Sequence, residues 1–216
     1  PNHIANAWDA WLQGYVGTSQ QVLGEDWLDI YLTSPIWRFC ISDGIFDESA
    51  WQGIILPSVD RVGRYFPFSI VAKSGHGRLP TEAILDSVWF EQLESIALQA
   101  LAGNMQLEQL IDAVKRIGVP SNGESVRLRL DLDNAGQVFE FNDDKPNVSN
   151  AYPQLIDMSF RQFGGTYSVW STGLGSDRIS PSFVTTTHLP TYRSAVALLD
   201  GLWQSRGWST PILRMD

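Results

Sequence analysis

Three histidines, one cysteine and a turn rich in arginine and aspartate hold most of the reactive chemistry this sequence could offer. His3, His76 and His188 are the candidate bases. A hydrolase needs a nucleophile, a base and an orienting group within reach of one another. His3 lies at the start of the chain, His76 sits in a Ser74-Gly75-His76-Gly77 loop, and His188 directly precedes Leu189-Pro190. No Gly-x-Ser-x-Gly elbow occurs, so a Ser–His–Asp set would have to assemble from distant segments. Cys40 sits between apolar neighbours in a strand-like run, where a thiol acts as a small buried hydrophobe. No His-x-x-x-His or Cys-x-x-Cys spacing for zinc is present. Asp131, Asp133 and Asn134 resemble part of an oxygen-ligand loop, and Asp143-Asp144 is an acidic pair; both read as polar turns. Gly173-Leu174-Gly175-Ser176 follows a strand, but no helix bearing a phosphate-binding lysine comes next. No cofactor is expected.

The polar cluster that resists a bland reading is Pro57-Ser58-Val59-Asp60-Arg61-Val62-Gly63-Arg64-Tyr65. A guanidinium makes paired contacts to carboxylates or phosphates. Asp60, Arg61 and Arg64 either pair among themselves to clasp the turn, or present Arg61 or Arg64 to a partner or anion. Arg38 stands alone inside an aromatic strand, where a charge is costly unless paired. Asp60 is its expected counter-charge. A pocket built by Arg38, Asp60, Arg61 and Arg64 would make the protein a small-ligand binder or hydrolase instead.

The bulk composition narrows the function classes. Lys and Arg number 15 against 24 Asp and Glu, a net charge of −9. Such a chain displaces few counterions from nucleic acid and is repelled by an anionic membrane surface. No apolar run nears the roughly 18 residues of a membrane span. Residues 1–60 hold one basic residue, Arg38, against eight acids, so an acidic face is expected. At 216 residues, with 44 % apolar and 18 % charged residues and nine tryptophans, the chain suits one well-filled domain. Some of its apolar surface is expected to meet a partner or a missing segment. A lone cysteine makes no internal disulfide and fits a reducing compartment; no signal-peptide pattern is seen.

These side chains need elements to hold them. Ile4, Ala7, Trp8, Trp11, Leu12 and Tyr15 recur on one helical face. Gly14 and Gly17 are expected to loosen its end, with a second helix after Thr18 broken at Gly24. Residues 35–41, 52–57 and 65–72 read as three strands of an antiparallel meander, and Pro67 makes the third an edge strand or starts it late. Pro80 opens a helix expected to reach Leu101, and another is marked by Leu107 to Val114. Val126 to Asp131 alternates as a strand, with Asn134-Ala135-Gly136 turning into Val138 to Phe141. A helix is expected over 153–163, strands over 166–171 and 182–187, and a last helix over 191–203. The order predicts an α/β protein, a three-layer α/β/α sandwich with a largely antiparallel or mixed sheet.

Three segments resemble one family: Trp8-Asp9-Ala10-Trp11-Leu12-Gln13, Tyr31-Leu32-Thr33-Ser34-Pro35-Ile36-Trp37-Arg38-Phe39, and Leu56-Pro57-Ser58-Val59-Asp60-Arg61-Val62-Gly63-Arg64-Tyr65-Phe66-Pro67. In this order they are similar to the TagF (ImpM) family, which accompanies bacterial type VI secretion systems. The strand around Trp170 and the closing Leu189-Pro190 helix follow in family order. The resemblance implies a single TagF-like domain over 1–216 lacking the family's first strand, which usually carries Gly-Lys-x-Pro and Gly-Asp-Phe type sequence. It implies a cytoplasmic, non-enzymatic regulator, a post-translational repressor that binds a forkhead-associated scaffold protein. Arg38, Asp60, Arg61, Arg64 and Trp170 are the candidate partner-binding or clasp residues. Where the family often shows paired tryptophans near the C-terminus, this chain has Trp170 alone. Trp37, Trp51 and Trp170 are expected in the core.

Overall fold

The computed structural model describes residues 2–60, 62–121, 126–131, 136–141 and 147–208, with 126–131, 136–138 and 148 as backbone alone. The chain opens with α1 (Asn2–Leu23), a 3-10 turn at Gly24–Asp26 and α2 (Trp27–Leu32). Three strands follow: β1 (Trp37–Ile41), β2 (Trp51–Leu56) and β3 (Phe68–Lys73). Then come α3 (Pro80–Ala83), α4 (Ser87–Leu101) and α5 (Leu107–Ile117). The strands β4 (Val126–Asp131) and β5 (Gly136–Phe141) form a separate two-stranded sheet. A 3-10 turn leads into α6 (Tyr152–Gly164), followed by β6 (Ser168–Ser171), β7 (Phe183–Thr186), α7 (Tyr192–Ala195) and α8 (Ala197–Asp200).

The main sheet has the order β3-β2-β1-β6-β7, and every pairing in it is antiparallel. Side chains alternate across a strand, and here both faces are covered. Trp37, Phe39 and Ile41 of β1 pack with Trp8, Trp11, Tyr15, Trp27, Tyr31 and Leu198, so α1, α2 and α8 lie on one face. Cys40 packs with Ile54, Leu56, Trp89, Phe90 and Leu93, placing α4 on the other. Burial on both sides explains why β1 and β2 read as continuous apolar runs despite being antiparallel. The α/β expectation with helices on both faces is therefore met, with an antiparallel main sheet.

Aromatic stacking fills the first core. The Trp8 ring lies 4.6 Å from Phe39 and 5.2 Å from Trp11, and Trp11 lies 5.6 Å from Trp170. The indoles also act as pins, since a buried N–H needs an acceptor. Trp11 Nε1 donates to Pro190 O at 3.0 Å, Trp37 Nε1 to Leu198 O at 2.8 Å, and Trp89 Nε1 to Gly118 O at 2.7 Å. Each ties an element to a segment far along the chain.

Several boundaries differ from the sequence expectation. The first helix runs unbroken to Leu23. Gly14 does not end it; a Cβ there would meet the Tyr192 ring at 2.3 Å, so glycine serves the close approach of α7. The break does fall at Gly24, whose φ is +58°. The helix opened by Pro80 stops at Ala83 and restarts at Ser87, because the Asp86 carboxylate caps the new helix by accepting from Trp89 N at 3.1 Å. The last helix likewise divides into α7 and α8 and ends at Gly201, with φ +70°. β3 starts after Pro67, as its proline predicts, and among the described residues it lies at one end of the main sheet. Asp133, Asn134, Asp143 and Asp144 lie outside the described residues, as does the side chain of Asp131.

Candidate functional site

The β2–β3 connection is the site the sequence singled out. Its base is fastened by Tyr31 of α2, whose hydroxyl donates to Ser58 O at 3.2 Å and accepts from Ser58 N at 3.0 Å. Burial pushes that phenol up to about 12, against the Ser58 N–H bond that opposes the shift. Ser58 Oγ donates to Phe66 O at 2.5 Å, and Val59 bridges Tyr65. Above this, Asp60 organises the tip. Its amide donates to Arg64 O at 2.9 Å, and its Oδ1 accepts from Val62 N at 2.9 Å and Arg64 N at 2.8 Å. Arg64 Nε donates to Asp60 Oδ2 at 2.6 Å. Gly63 takes φ +82°, a conformation that a Cβ disfavours. The Arg64 amide first, and then its guanidinium, hold the Asp60 carboxyl below the ordinary carboxylate value.

The clasp reading of Asp60 and Arg64 is thus realised in the geometry. The clasp also leaves a presented surface: the Arg64 side chain is 82 % exposed and Val62 is 76 % exposed. A fixed guanidinium beside a bare isopropyl group suits contact with a carboxylate- or phosphate-bearing surface. Arg61 lies outside the described residues.

Arg38 is not the partner of Asp60. Its side chain leaves β1 on the opposite face from α1, into the layer of α4, where it forms a two-point pair with Glu94: Nε to Oε1 at 2.6 Å and Nη2 to Oε2 at 3.0 Å. The guanidinium also sits 5.6 Å from the centre of the Phe90 ring. Gly173 closes over it, since a Cβ there would lie 2.6 Å from Arg38 Nη2. Of the anticipated pocket of Arg38, Asp60, Arg61 and Arg64, the three described residues do not converge: Arg38 pairs with Glu94 on the α4 side of the sheet, and Asp60 and Arg64 pair with each other in the turn. Glu94 was missed by the sequence reading. It lies between the buried Phe90 and Ala97 and beside buried Leu93 on α4, and a carboxylate within that apolar stripe was the available signal. Trp170 is fully buried, with Nε1 donating to Ser168 Oγ at 2.9 Å. Cys40 is fully buried too, and burial pushes its thiol up, so it is held protonated. His188 is exposed and bonds Thr166 Oγ1 through Nδ1 at 2.6 Å, while His3 faces Asp47 at 3.4 Å.

Residues 1–117, which contain α1, β1, the clasped hairpin and α4, match the profile of the TagF N-terminal domain, type VI secretion system-associated. The chain belongs to the TagF family. A similar solved structure, PA0076 from Pseudomonas aeruginosa PAO1, is 31 % identical, with a TM-score of 0.77 over 100 % of this chain and 91 % of that one. No curated protein matches the chain. The structural match to PA0076 also spans the later segments, including β6, β7, α7 and α8. The Asp60–Arg64 clasp and the Arg38–Glu94 pair lie within the region that the TagF N-terminal model matches. No described helix is long and apolar enough to cross a membrane.

Proposed function

We propose that this TagF-family chain regulates a bacterial type VI secretion system by binding, as a post-translational repressor that occupies a forkhead-associated scaffold protein in the cytoplasm. It does so without making or breaking a covalent bond. Membership of a family associated with that secretion system carries the reading. The clasped hairpin supports it by offering a ready-made contact. Asp60 ties Val62 and Arg64 together through two backbone N–H bonds and one guanidinium bond, which limits the freedom those two residues lose on docking. Val62 supplies apolar area, and Arg64 supplies charge at the rim, where charge governs on-rate and partner choice. Arg38 and Trp170 take the structural part: one joins β1 to α4, and the other fills the aromatic core.

Retention of the protein on immobilised scaffold tests this. Arg64→Glu, alone and with Arg61→Glu, is expected to weaken retention while the circular dichroism spectrum stays that of the parent. Undiminished retention of the double variant would remove the hairpin from the interface. Loss of the folded spectrum would show the clasp to be structural alone.

A further inference from the structure

Asp60 ties Val62 and Arg64 together, but a tie within a loop does not aim the loop. Aim comes from below. The β2–β3 ladder ends at the Leu56–Phe68 pair, and Pro57 has no N–H with which to extend it. Ser58 is the next residue able to bond through both backbone groups, and both meet one atom. The Tyr31 hydroxyl accepts from Ser58 N at 3.0 Å and donates to Ser58 O at 3.2 Å. A hydroxyl donates and accepts at once, so one phenol stands in for a strand neighbour at this point. The phenol is itself held. Tyr31 is buried, and its ring stacks on Trp27 at 4.9 Å and meets the Tyr65 ring edge-on at 6.4 Å. Trp27 Nε1 donates to Ser19 Oγ at 2.7 Å, and that hydroxyl donates to Val16 O at 2.8 Å. These links form one path from α1 through α2 to Ser58, whose neighbour Val59 bridges Tyr65 across the loop. The ring contacts set a distance. Two directional bonds to the backbone of one residue set a tilt as well.

We propose that Tyr31 is a positioning residue for the contact hairpin: through Ser58 it holds Val62 and Arg64 at the angle to the sheet at which a partner is met. The proposal rests on the hairpin being the contact, and deepens that reading by making affinity depend on a buried hydroxyl outside the contact. Pre-setting the angle lowers the ordering cost of docking, and a hairpin free to swing would meet that cost on binding.

The test is Tyr31→Phe, which removes the hydroxyl and keeps the ring. Backbone nitrogen relaxation of the free protein by NMR reads the order of the tip, and calorimetry with the purified forkhead-associated scaffold reads binding. In the variant the order parameters of Val62 and Arg64 are expected to fall from about 0.85 to below about 0.6, with those of β1 and β2 unchanged. Affinity for the scaffold is expected to fall about tenfold. Ile30→Val trims a buried side chain of the same helix without touching the hydroxyl, and is expected to leave both readouts at the parent's values. Equal losses in Ile30→Val would overturn the proposal, because they would trace to stability alone. A tip equally ordered in the parent and in Tyr31→Phe, whether rigid or loose in both, would overturn it whatever the scaffold does. So would a loosened tip with undiminished affinity, since the partner then does not read the angle. A parent that fails to bind the scaffold would defeat the binding reading, and the order parameters would still decide the positioning role. Should Tyr31→Phe not fold, amide exchange in the parent decides: a Ser58 amide protected like those of β2 supports the proposal, and an unprotected one overturns it.

Discussion

Replacing Glu94 by leucine isolates the effect of the Arg38 pair. The variant leaves a guanidinium in a side chain 9 % exposed, with both carboxylate contacts gone and the Phe90 ring as its remaining neighbour. Removing one member of a buried ion pair costs about 3–5 kcal/mol, because the other charge stays desolvated and unpaired. Glu94 is 18 % exposed, so water reaches its side of the pair and the lower end applies, about 3 kcal/mol. For a chain of this size that corresponds to a fall in Tm of about 6–12 °C. The double variant Arg38→Met with Glu94→Leu leaves no stranded charge, and is expected to recover to within about 1–2 kcal/mol of the parent. Urea unfolding followed by tryptophan fluorescence measures each midpoint, with an unchanged slope showing that the unfolded state is comparable. A single variant within about 1 kcal/mol of the parent would refute the reasoning, as would costs in the double that simply add to within about 0.5 kcal/mol.

Other outcomes follow from the same structure. Trp11→Ala opens the aromatic core and leaves Pro190 O without its 3.0 Å bond, so a loss of about 3–5 kcal/mol is expected in the same urea assay. Cys40 is expected to resist a disulfide reagent in the native protein and to react on unfolding; rapid native labelling would contradict its burial. Asp60 is held below the ordinary value by the Arg64 amide and guanidinium, so between the two values the native chain binds fewer protons than the unfolded one. Its stabilising effect is complete above the unfolded aspartate value of about 3.9 and fades as pH falls through the depressed native value. The amide shifts of Val62 and Arg64 report that titration by NMR, and a midpoint at or above the unfolded value would contradict the clasp.

What the sequence disclosed and what it hid divide along the range of the interactions. The face of α1 from Ile4 to Tyr15 and the start of β3 after Pro67 depend on local periodicity and on a missing N–H, both visible in a short window. The helix break at Asp86 was equally local, but the apolar period around it continued and masked the cap. Gly14 misled because its role is to admit the Tyr192 ring, a contact 178 residues away in the chain. The Arg38 assignment failed for the same reason. Asp60 was the acid of the polar turn that stood out in the sequence, whereas Glu94 lies on a helix that reaches β1 only once the sheet is covered. The turn chemistry of Asp60, Gly63 and Arg64 was readable, since a short carboxylate followed by a positive-φ glycine closes a hairpin locally.

The central claim is that this TagF-family protein works by occupying a partner. Titration calorimetry of the purified chain into the purified forkhead-associated scaffold tests it most directly. The account expects a saturable single-site isotherm that weakens with Arg64→Glu, in a variant that still melts as the parent does. A flat titration with both proteins folded, or catalytic turnover by the pure chain abolished by a single side-chain change, would contradict it.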